Sequence, residues 1–172
     1  GAPLAQPKSV LQDVIVLPWN NAEILEKNVK KHAKDVACVV MEPIELGRGI
    51  LPKKGYLEAV REVTEKYGIV LLFDEVKTMF RVGLGGAQKY LGVTPDLFTC
   101  SKSMGGGLPI SAYGGKKEIV ELISNGKVPA MGTYNANPLS IAGSLANIKV
   151  LEKDGGKAYK HMYRVGEKLM GG

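Results

Sequence analysis

Ile69-Val70-Leu71-Leu72-Phe73-Asp74-Glu75 is the stretch that decides the fold. Five consecutive apolar residues, with no alternation between polar and apolar positions, suit a strand buried on both faces of a parallel sheet. Gly68 ends whatever helix comes before it, and the strand runs directly into two acids. A carboxylate placed behind five apolar residues is costly to bury unless a cation or a donor meets it. A cationic partner is therefore expected at Asp74: a lysine, or a protonated heterocycle.

Working outward, apolar runs alternate with amphipathic stretches. Val14–Leu17 predicts a strand closed by Pro18, and Asn20 or Asn21 can cap a helix carrying Ile24, Leu25, Val29 and Ala33 at helical spacing. Val36–Met41 predicts a second strand, 47–54 a loop, and Tyr56–Tyr67 a helix. Beyond Asp74 come a glycine-rich stretch at 83–86 and a short helix near 88–91. A strand at 97–100 follows, then a turn at Gly105-Gly106-Gly107, a strand at 110–113 and a helix at 117–123. A long helix is expected from Pro138 to Leu151, broken by Gly155-Gly156 before a last one at 158–170. This alternation implies an α/β fold, a mostly parallel sheet with helices on both faces.

The 172 residues suffice for one domain with a sizeable core. A hydrophobic fraction of 45% with 23% charged residues excludes disordered and fibrous classes. No apolar run approaches the roughly 18 residues of a membrane span, and Gly1–Gln6 carry neither the basic start nor the apolar core of a secretion signal. The formal charge of +6 comes from lysines dispersed among glutamates, the pattern of a solvated surface rather than a nucleic-acid groove. Cys38 and Cys100 sit in apolar runs without metal-ligand spacing, so buried thiols in a reducing, cytoplasmic compartment are expected, and no metal. An organelle stroma is also compatible, had a transit peptide been removed. The chain starts without Met and stops just after a helix; both ends read as cuts in something longer.

In open α/β sheets ligands bind beyond the carboxyl ends of the strands. That rule selects Glu42-Pro43, Asp74-Glu75 and Ser101-Lys102, an acid, an acid pair and a lysine around one crevice. A lysine nucleophile needs desolvation or a cationic neighbour to be neutral near pH 7, and the end of an apolar strand offers the first. Taken singly, Lys102 reads as a surface lysine and Asp74 as a cap or loop carboxylate; only together do they point to chemistry. Glu75 reads as structural, through hydrogen bonds to nearby backbone. His32 and His161 read as solvated, and Trp19 as packing at a strand end.

The ordered set Val40-Met41-Glu42-Pro43, Leu72-Phe73-Asp74-Glu75-Val76, Phe80-Arg81, Gly85-Gly86-Ala87-Gln88, Pro95-Asp96-Leu97, Ser101-Lys102 with Gly105-Gly106-Gly107, and Gly132-Thr133 with Asn137-Pro138 resembles class III pyridoxal-phosphate aminotransferases. From Phe80 to Gly115 it is most similar to the glutamate-1-semialdehyde 2,1-aminomutase branch. The resemblance implies the large domain of a fold-type I transferase using pyridoxal 5'-phosphate on a small amino or oxo acid. It implies that Lys102 forms the Schiff base and moves the substrate proton, that Asp74 pairs with the pyridine nitrogen, and that Val76 packs on the ring. Glu42 stands in the same pocket. Gly132-Thr133 is similar to the segment whose threonine crosses a homodimer interface to the neighbouring cofactor's phosphate. Residues 1–172 then form part of that domain, without its N-terminal part and without the C-terminal small domain. Such a piece alone is expected to bind the cofactor poorly and catalyse nothing.

Departures are local. Lys77 and Met79 replace an uncharged residue and a glycine, Glu45-Leu46 is unusual, and Gly47 stands where ornithine-type members carry a glutamate. An aminotransferase or racemase acting on another substrate shares Lys102 and Asp74 and stays open. A nucleotide-binding domain is the remote rival, since Ser101 occupies the place of the glycine that a P-loop needs before its lysine.

Overall fold

The computed structural model describes residues 7–172, so the reading of Gly1–Gln6 as lacking a leader lies outside the described residues. The element order is α1 (Lys8–Gln12), α2 (Ala22–Lys31), β1 (Cys38–Met41), α3 (Tyr56–Lys66), β2 (Val70–Asp74), α4 (Gly86–Leu91), β3 (Leu97–Cys100), a 3-10 turn (Lys102–Gly105), β4 (Ala112–Gly115), α5 (Lys117–Ser124) and α6 (Pro138–Gly171). The four strands form one sheet in the order β1-β2-β3-β4; the first three are parallel and β4 is antiparallel.

α2 and α6 begin where a side chain satisfies a free N–H group. Asn21 accepts from the Ile24 N–H at 3.0 Å, and Asn137 from the Ser140 N–H at 3.1 Å, with Pro138 opening α6. Within α6, Lys153–Gly156 leave helical geometry, which is the break expected at Gly155-Gly156.

Side chains alternate across β2: Leu71 and Phe73 are fully buried toward α2 and α3, against Leu25, Val29, Leu57 and Val60. Each such residue contributes roughly 1.5–3 kcal/mol of burial. The opposite face is sparsely covered within this chain. There Val40 is 64% and Tyr113 52% exposed, in register with Leu72 and Thr99.

Two expected strands change. Val14–Leu17 is not a strand: it carries no ladder and Val16 is 84% exposed, because β propensity favours extension but only a neighbouring backbone makes a strand. The last strand lies two residues later than expected. The Ser101 hydroxyl holds the Ile110 carbonyl at 2.7 Å in the turn region, while Gly114 and Gly115 provide the close approach to β3. A Cβ on Gly114 would meet the Phe98 ring at 2.8 Å.

Two buried acids hold the layers together. Asp96 accepts from Arg61 Nη1 (2.9 Å) on α3, the Leu71 N–H (2.7 Å) on β2 and Lys116 Nζ (2.8 Å) after β4. Glu75, fully buried, accepts from the Thr78 hydroxyl (2.8 Å), the Ala87 N–H (2.5 Å), the Gln88 N–H (3.2 Å) and Gln88 Nε2 (3.1 Å). It thereby pins the start of α4 to the end of β2.

Burial pushes the Asp96 carboxyl up, but the hydrogen bonds from Leu71, Lys116 and Arg61 outweigh it and hold the group below the usual aspartate range. Because the folded value lies under the unfolded one, this stabilisation is complete above about pH 4 and is lost as pH falls through the lower folded value. Asp96→Asn should cost about 2–3 kcal/mol at neutral pH and flatten the acid limb of a stability-versus-pH curve measured by urea unfolding. At Gly86, with φ of +65°, a Cβ would run into the Glu75 carboxylate. Gly86→Ala should therefore lower the urea midpoint by the equivalent of more than about 1 kcal/mol.

Candidate functional site

The site lies where β1, β2 and β3 end. β2 pairs with β3 so that Asp74 is opposite Thr99, and parallel pairing turns both side chains to the same face. Asp74 Oδ1 accepts from the Val76 N–H at 3.0 Å and lies 3.4 Å from the Thr99 hydroxyl. Among the described residues no donor meets Oδ2.

Three residues after Thr99, β3 gives way to the turn that carries Lys102. Lys102 has φ of +43°, a left-handed conformation that a side chain with a Cβ adopts at a cost. The residue is exposed, and among the described residues its amine has no ion-pair partner. A half-buried carboxylate with one open oxygen and a free amine thus stand at the ends of adjacent strands, on the same edge of the sheet.

Glu42 follows β1. Lys77 Nζ donates to its two oxygens at 2.9 and 3.1 Å, and this hydrogen bond holds the Lys77 ammonium above its ordinary range. Trp19 packs beside it: its Nε1 donates to the Glu42 carbonyl at 3.0 Å, and its ring meets Tyr56 edge-on, 5.5 Å between centroids. Val76, partly buried, contributes the N–H that fixes Asp74. Gly132 and Thr133 lie elsewhere, in an exposed turn before α6, and no described hydrogen bond joins Thr133 to Asp74, Glu42 or Lys102. Their neighbours Met131 and Tyr134 are 91% and 84% exposed.

Three contacts escape a residue-by-residue reading. Thr99 touches Asp74, and the signal for it was a lone hydroxyl inside an apolar strand. Lys77 is the partner of Glu42. Ser144 and Asn147 of α6 donate to the turn carrying Lys102. A cavity of about 700 Å³ beside the site is mainly apolar; Met79, Phe98, Cys100 and Met104 line it, Asp74 and Lys102 do not. Burial there pushes the Cys100 thiol up, keeping it neutral.

Comparison with known proteins identifies the family. The family model described as aminotransferase class-III matches residues 5–171. Glutamate-1-semialdehyde 2,1-aminomutase of Thermodesulfovibrio yellowstonii is 49% identical over 152 residues, covering 87% of this chain and 36% of that protein. The aminomutase of the same name from Sulfolobus acidocaldarius is 50% identical over 150 residues, covering 86% and 35%. Among solved structures, a transaminase with PLP bound superposes with a TM-score of 0.90 at 32% identity, over 99% of this chain and 41% of that one. An omega-transaminase from Sphaerobacter thermophilus gives 0.81 at 37% identity, over 87% and 35%. The chain spans a little over a third of the length of these curated relatives. With a family model matching nearly end to end and the fold of solved transaminases, this chain belongs to the class-III aminotransferases.

Proposed function

We propose that this chain is the lysine-bearing part of the large domain of a pyridoxal 5'-phosphate enzyme that moves an amino group on a small amino or oxo acid. The named relatives favour the glutamate-1-semialdehyde 2,1-aminomutase type, in which oxo and amino groups exchange places on one five-carbon substrate. The observation carrying the proposal is the pairing of β2 with β3, which delivers Asp74 with an open oxygen to the same sheet edge as the turn of Lys102, whose amine has no ion-pair partner among the described residues.

The residues present fit this cofactor. Bound here, it supplies an aldehyde that condenses with an amine, and a ring that accepts electrons once its nitrogen is protonated. Asp74 Oδ2 would hold that proton on the nitrogen; its Oδ1 is already fixed by Val76 and Thr99, so the carboxylate would not need to reorganise. Val76 would pack against the ring. Lys102 Nζ is the amine that would hold the group through its aldehyde and that, as a free base, would carry the proton to and from the substrate carbon. Glu42, neutralised by Lys77, adds shape and hydrogen-bonding capacity at the mouth without a net negative charge.

Thr133 serves a second copy. Its hydroxyl stands on an exposed turn flanked by exposed Met131 and Tyr134, suited to a homodimer interface in which it meets the neighbouring cofactor's phosphate. Residues 1–172 form a partial cofactor domain on this reading, and unpaired Cys38 and Cys100 suit a reducing, cytoplasmic setting.

In the full-length protein, supplied with cofactor and glutamate-1-semialdehyde, Lys102→Ala should lower turnover by about 10³-fold or more, and Asp74→Asn by about 10²-fold. Wild-type turnover in Lys102→Ala would overturn the proposal. Lys102→Gly should be equally inactive yet more stable than Lys102→Ala by about 1 kcal/mol in urea unfolding, since only glycine is free of the left-handed penalty.

A further inference from the structure

Helix α6 packs on the turn Lys102–Gly105 more closely than on any strand. Asn147 Nδ2 donates to the Ser103 carbonyl at 2.7 Å and to the Met104 carbonyl at 3.2 Å, and the buried Ser144 hydroxyl donates to the same Met104 carbonyl at 3.0 Å. The approach depends on Gly106, whose φ is +58° and where a Cβ would meet Asn147 at 3.0 Å. A single 3-10 turn leaves most of its carbonyls without internal partners. These three hydrogen bonds from 40 or more residues away supply them.

The two carbonyls belong to the residues immediately after Lys102, which itself sits in a strained left-handed conformation. Left to itself the turn would relax toward right-handed or extended geometry, and the Cα–Cβ direction of Lys102 would swing away. Within the turn itself the Met104 N–H donates to the Ser101 carbonyl at 3.0 Å, while Ser103 Oγ is buried with no hydrogen-bond partner among the described residues. On the Schiff-base side, Ser101 is held through its hydroxyl to the Ile110 carbonyl at 2.7 Å. On the far side the hold comes from α6.

We infer that Asn147, with Ser144, is a positioning residue for Lys102: it touches neither cofactor nor substrate, and it aims the amine by clamping the next two carbonyls. This rests on the proposed role of Lys102. The clamp acts on the reach of the amine toward the aldehyde carbon and leaves the remaining cofactor contacts alone, so bond formation and non-covalent binding separate.

The test uses full-length protein stripped of cofactor. The rate at which Lys102 captures pyridoxal 5'-phosphate is read by borohydride trapping and peptide mass. Affinity for pyridoxamine phosphate, which has no aldehyde and makes no bond to lysine, is read by titration. Asn147→Leu should slow capture about tenfold or more, the loss of two hydrogen bonds, while pyridoxamine phosphate binds within about twofold of wild type, the factor left by contacts it does not disturb. Equal capture rates overturn the inference, and so does a parallel loss of both readouts, the signature of a merely structural residue. Should Asn147→Leu fail to fold, Ser144→Ala should slow capture about threefold, one hydrogen bond's share, and Ser144→Thr, which keeps the hydroxyl, should restore it. Capture by Ser144→Ala at the wild-type rate overturns the inference equally. A wild-type protein that never captures the cofactor at Lys102 would instead remove the functional reading beneath it.

Discussion

The in-register parallel pairing of β2 with β3 is the constraint on which the site depends. It sets Asp74 opposite Thr99 and so fixes which face the carboxylate uses and how far along the chain the lysine turn begins. A one-residue slip would send Asp74 toward α2 and α3 and bury an unpartnered charge there. The register is defended by the alternation itself: Leu71 and Phe73 fill the core only in this phase.

Adjacent acids at the end of β2 meet opposite fates, and that contrast explains much of the local architecture. Glu75 points into the core face and is saturated by four donors, which makes it a staple for α4. Asp74 points the other way and keeps one oxygen open. Asp96 resembles Glu75 in being buried and fully engaged, tying α3, β2 and the segment after β4 into one unit. The chain thus uses two buried carboxylates as cross-braces and leaves a third, at the rim, with one oxygen open.

Most of the architecture was legible because its signals are local. Continuous apolar runs gave β1, β2 and β3; asparagine caps and glycine stops gave α2, α3 and the break in α6. Misreadings arose where structure depends on a distant partner. Val14–Leu17 has strand composition but no neighbouring backbone, and β4 is placed by Gly114 and Gly115 meeting Phe98 rather than by its own apolar residues. The same holds for the site. Asp74 and Lys102 follow from strand ends, whereas Thr99, the Glu42–Lys77 pair and the Asn147 clamp exist only once elements pack. Sequence spacing carries no trace of a hydrogen bond spanning 44 positions.

Beyond the break at Lys153–Gly156, α6 reaches back over the molecule, and Tyr159 and Tyr163 donate to the carbonyls of Phe80 and Val82 at 3.1 and 2.8 Å. Because the acceptors are main-chain oxygens, this mooring is indifferent to which side chains occupy the loop after Asp74. Departures such as those at positions 77 and 79 therefore leave both hydrogen bonds, and the berth of the helix, in place.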